Sequence, residues 1–131
     1  MVLSLEAEVI EINNVKVVSL KGDDKFLLLE RVLEVSGFWE VLEQRFVELG
    51  KPKGEFLIAL KPNMMMAYSK TDKSVITDPE LVEHLINCLI KQGYTNIVVV
   101  ESRNYGMWFK NRDVARESLR VIVVRTIELW I

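Results

Sequence analysis

The stretch Glu55-Phe56-Leu57-Ile58-Ala59-Leu60-Lys61-Pro62-Asn63 decides how this chain reads. From Glu55 to Leu60 the residues are nearly all apolar, the pattern of a strand covered on both faces by helices, and Pro62 ends the run because proline brings no amide donor to a ladder. Downstream, Thr77-Asp78-Pro79-Glu80 marks a helix start. Thr77 and Glu80 have capping-box spacing, and Pro79 suits a first turn, where its missing donor is not needed. Leu81, Val82, Leu85, Ile86, Leu89 and Ile90 then fall on one half of the helix, Gly93 stops it, and Asn96-Ile97-Val98-Val99-Val100-Glu101 supplies a second apolar run. Strand, long loop, helix and strand in this order predict two parallel neighbours joined by a right-handed crossover through the helix from Asp78 to Gln92. Such a unit places a ligand crevice at the carboxyl ends of its strands.

Toward the amino terminus, Val15 to Leu20 is β-branched and bounded by turn residues, and Ala7 to Ile12 is placed to pair with it as a hairpin through Asn13-Asn14. Between Lys25 and Leu49 the apolar residues recur at three- and four-residue steps, which is helix periodicity, and Ser36-Gly37 divides the segment in two. Gly50-Lys51-Pro52-Lys53-Gly54 forces a turn before the decisive strand. Toward the carboxyl terminus, Ser102 to Lys110 is an aromatic and basic loop, Asn111 is positioned to cap a short helix through Leu119, and Val121 to Val124 reads as a strand. The expected fold is therefore α/β: a mainly parallel central sheet flanked by helices, Rossmann-like and three-layered, in a single small domain over residues 1–131.

Composition narrows the classes of partner. A chain of 131 residues that is 50% hydrophobic can bury a core without staples. Its net charge of −2 gives no general attraction for phosphate backbones or anionic lipid, so neither nucleic acid nor membrane is an expected partner. The start lacks the basic flank of a signal peptide, and no run approaches the roughly 20 apolar residues of a membrane span. With Cys88 as its single cysteine, the chain has no intrachain disulfide framework and no ligands for an iron-sulfur cluster, which fits a reducing cytoplasm.

Taken together, Leu60-Lys61-Pro62-Asn63, Thr77-Asp78-Pro79-Glu80, Val99-Val100-Glu101-Ser102, Tyr105 and Asn111-Arg112-Asp113-Val114 resemble the family catalogued as domain of unknown function 362, over roughly Gly54 to Ala115. That resemblance implies a fold similar to the amino-terminal part of nickel-dependent lactate racemase, and some members carry a fused ferredoxin-type cysteine module. Here the chain departs from the pattern. It is much shorter than is usual in the family and lacks the cysteine cluster, and with His84 its only histidine it does not support racemase chemistry. A stand-alone short homologue and a truncated product both fit.

Candidate binding residues cluster where loops leave the strands. Lys61, Asn63, Lys70 and Thr77 lie between the first strand and the helix, and Ser102, Arg103, Asn104 and Arg112 follow the second. Free amides at a helix start favour anions, although Asp78 and Glu80 already bring negative charge there. Arg103, Tyr105, Trp108, Phe109, Lys110 and Arg112 mix the side chains that stack on a base with those of an interface loop, and the second reading is preferred. Met64-Met65-Met66 reads as core or interface filling rather than a pocket. Glu80, His84 and Cys88 recur at four-residue steps and read as an exposed polar stripe, without the further histidines or cysteines a metal would need. No metal, cofactor or catalytic residue is therefore assigned. The expectation is a domain binding a small polar or anionic ligand, the alternatives being an enzyme completed by a second subunit and an assembly module with no ligand. The apolar end Ile127-Glu128-Leu129-Trp130-Ile131 should not stand free in water, so a homo-oligomer through Val121 to Ile131 is expected.

Overall fold

A computed structural model describes residues 6–63, 76–102 and 121–124. The chain divides into two compact units, Met1–Lys53 and Gly54–Ile131.

The first unit opens with an antiparallel hairpin of β1, Glu6–Ile12, and β2, Val15–Lys21. Its two-residue turn has positive φ at both Asn13 (50°) and Asn14 (65°), the left-handed pair of a type I′ turn, whose twist matches that of the strands. Asparagine tolerates this region better than other residues with a β-carbon. Asp24 then caps α1, Lys25–Val35, its Oδ1 accepting from the amides of Phe26 and Leu27. Gly37, at φ 79°, separates α1 from α2, Phe38–Glu48, as the Ser36-Gly37 pair predicted. α1 packs against β2, and the ammonium of Lys16 donates to the carbonyl of Val35 at 3.4 Å. Among the described residues of this unit, Leu33 is the large apolar side chain that is buried.

The second unit holds the decisive stretch. A 3-10 turn over Lys53–Glu55 leads to β3, Ile58–Leu60, shorter than the expected strand from Glu55. The reason lies in the partners of its first residues. The carbonyls of Gly54 and Glu55 accept from the side chains of Thr95 (3.4 Å) and Asn96 (3.1 Å), and the backbone link to the neighbouring segment begins with the Ile58 amide on the Asn96 carbonyl (3.0 Å). Phe56 turns inward to meet Tyr94, ring centroids 6.1 Å apart. Leu57 and Ala59 are exposed while Ile58 and Leu60 are half-buried, so β3 is covered on one face where apolar composition predicted two.

Helix α3, Pro79–Lys91, leads to β4, Ile97–Ser102, which pairs with β3 in parallel. The parallel adjacency read from the sequence is what the structure shows. β5, Val121–Val124, adds on the other side of β4 in antiparallel register, giving the order β3-β4-β5. The architecture is mixed α/β: among the described residues this sheet holds one parallel and one antiparallel pair. The core gathers on α3 and the strands beside it, where Val82, Cys88, Leu89, Tyr94 and Val99 are buried. No helix among the described residues is long and apolar enough to cross a membrane.

Candidate functional site

The carboxyl end of β3 and the start of α3 are tied together. Thr77 donates its amide to the Asn63 carbonyl at 2.8 Å, and its Oγ1 accepts the Asn63 amide at 2.8 Å. This reciprocal pair closes the base of the connection between the two elements, fixing the point at which the chain leaves the strand and re-enters the helix. Lys61 and Asn63 are exposed beside the buried Pro62, and Thr77 is half-buried.

The helix start differs from its expectation. Asp78, not Thr77, is the N-cap, with Oδ1 accepting the Glu80 amide at 3.0 Å, and Thr77 faces Asn63 instead of forming a capping box with Glu80. The cause is Pro79: its ring disfavours the α region for the residue before it, so Asp78 (φ −56°, ψ 117°) is the last residue outside the helix. Pro79 then occupies the first helical turn, as expected. Leu81 and Val82 donate to the Asp78 carbonyl at 3.1 and 3.2 Å. The first turn of α3 therefore directs its amides to Asp78, and the expectation that free amides there favour an anion does not hold.

Register brings the second strand to the same place. Leu60 lies opposite Val99, β4 runs on to Ser102, and Ser102 is opposite Val121. The connection after β4 thus leaves and returns at the sheet end where the Asn63 and Thr77 link sits. Of the predicted binding residues, Lys61, Asn63, Thr77 and Ser102 belong to the described residues and gather at this end; Lys70, Arg103, Asn104 and Arg112 lie outside them, as do the Met64 to Met66 run, Tyr105 to Lys110, the helix expected from Asn111 and the segment from Arg125 to Ile131.

The stripe Glu80, His84, Cys88 is not a uniformly exposed face. Glu80 is exposed, His84 half-buried and Cys88 buried. Four residues advance a helix by slightly more than one turn, so the stripe drifts about 40° per step and brings Cys88 beside the apolar half that Leu81 and Leu85 define. Elsewhere, a cavity of about 130 Å³ at the open end of the hairpin is lined by Glu6, Lys21, Gly22 and Asp23. Its polar lining is supplied by exposed groups, of which Lys21 and Glu6 stand 4.0 Å apart.

With this geometry in view, a family comparison bears on the second unit. The family model described as domain of unknown function, DUF362, matches residues 58–123. The chain belongs to this family. The match begins with β3 and takes in α3, β4 and most of β5, the elements that frame the sheet end just described. No curated protein and no solved structure matches the chain.

Proposed function

We propose that this DUF362 chain binds a small polar or anionic ligand at the carboxyl ends of β3 and β4, in a crevice of Rossmann-like character. The observation that carries the reading is the parallel pairing of β3 with β4, which directs both following connections to one sheet end. Lys61 supplies a cation, Asn63 and Thr77 supply hydrogen-bonding groups at a tied loop base, and Lys70, Ser102, Arg103, Asn104 and Arg112 complete the set from the two connections. Because the α3 amides are directed to Asp78, the side chains must provide the recognition.

Titration of the protein with inorganic phosphate and with citrate, followed by amide chemical shifts, tests the reading. Shifts are expected around Lys61, Asn63, Thr77 and Ser102, and a Lys61→Ala, Arg112→Ala double variant should lose them while keeping its fold. Binding unchanged in that variant removes the site.

A further inference from the structure

We propose that the outer face of the β1/β2 hairpin is a homodimer contact, its occupant the same face of a second copy. This inference concerns the first unit and stands apart from the ligand site.

The two faces of the hairpin are unlike. Directly opposed residues in an antiparallel pair point to the same side, and side chains alternate along each strand. One face carries Ala7, Val9 and Glu11 with Leu20, Val18 and Lys16. Val18 and Leu20 are half-buried and Lys16 reaches the carboxyl end of α1, so the β2 side of this face lies toward the helix, while Val9 on the β1 side is 49% exposed. The opposite face carries Glu6, Glu8, Ile10 and Ile12 opposed to Lys21, Ser19, Val17 and Val15. On it Ile10, Ile12, Val15 and Val17 are 44%, 60%, 61% and 54% exposed. An antiparallel sheet with one solvated face ordinarily makes that face polar, and here half of it is a continuous aliphatic patch.

The arrangement of rows on this face selects the occupant. Rotation about a two-fold axis parallel to the strands, lying between two such faces, sets β1 of one copy over β2 of the other. Each row then meets its own cross-strand partner. Ile10 and Ile12 lie over the partner's Val17 and Val15, and Glu6 lies over the partner's Lys21, with both contacts repeated by symmetry. Apolar groups meet apolar groups in the Ile10 and Ile12 rows, acid meets base in the Glu6 row, and Glu8 meets the neutral Ser19 between them, which is the self-complementarity an isologous contact requires. Two sheets so aligned pack at about 10 Å, close enough for β-branched side chains to interdigitate. The face presents eight residues, fewer than the roughly 20 to 30 a side of a standard interface, so the dimer is weak.

Sedimentation equilibrium of the full chain between about 10 μM and 1 mM, the range in which weak association registers, reads the dimer directly. The average mass is expected to rise toward twice the monomer value. Ile12→Lys and Val15→Lys should each weaken association at least about tenfold, by placing unpaired charge in an apolar contact. Val47→Lys, at an exposed position on α2, should leave it unchanged. Should a lysine variant lose its circular dichroism spectrum, the charge pair decides: Glu6→Lys weakens the dimer, and adding Lys21→Glu restores it. A monomer throughout the range overturns the proposal and leaves the face to a different partner. Association that survives both lysine substitutions, as it would through the segment from Val121 to Ile131, also overturns it, as does a double charge reversal that fails to restore.

Discussion

Asp78 and Thr77 are neighbours with opposite duties, and proline is what separates them. Asp78 takes the cap because Pro79 excludes it from the helix, leaving the Thr77 hydroxyl to accept the Asn63 amide. Asp78→Ala should lower unfolding free energy by about 1 kcal/mol, the usual cost of losing a cap, as measured by urea denaturation. Thr77→Val should cost about 0.5 to 1.5 kcal/mol by removing the acceptor at Asn63, and Thr77→Ser should recover most of that loss. Equal stability of the valine and serine variants would show that the hydroxyl adds nothing. Sequence spacing marked Thr77, Pro79 and Asn63 as meaningful residues. It did not join Thr77 to Asn63, because a contact across a long connection leaves no periodic trace.

Elements were most legible where a short-range rule governs them. Asn13-Asn14 gives the hairpin, Ser36-Gly37 parts α1 from α2, and Gly93 ends α3. At that last end the Gly93 amide bonds to the Ile90 carbonyl and the Tyr94 amide to the Leu89 carbonyl, a Schellman pair that turns the chain and sends Tyr94 into the core. Since Gly93 sits at φ 90°, Gly93→Ala should destabilise by about 1 kcal/mol, visible as a lower thermal midpoint. Leu89, with no exposed surface, should cost about 2 to 5 kcal/mol when cut to alanine. β3 was harder to read. Apolar composition set its expected start at Glu55, but Thr95 and Asn96 occupy the carbonyls that a longer ladder would need.

On the scale of the whole molecule, the two units differ in how much they bury. The described core of the second unit includes Phe56, Val82, Leu89, Tyr94 and Val99, whereas Leu33 stands for the first. Local opening should therefore be easier in residues 6–53, since few buried contacts resist it. Native-state hydrogen exchange is expected to show faster exchange for the amides of α2 and the hairpin than for those of α3 and β4. Equal protection in both units would contradict this.

By itself the sequence determined the parallel pair, the hairpin, the three helices and the family, because turn chemistry and hydrophobic period act over a few residues and repeat predictably. Only the tertiary structure decided that β5 joins β4 in antiparallel register, that Cys88 is buried, that the α3 amides are directed to Asp78, and that Asn63 and Thr77 close the base of the loop. Each of these depends on which distant backbone group is nearest in space, and spacing along the chain does not encode that.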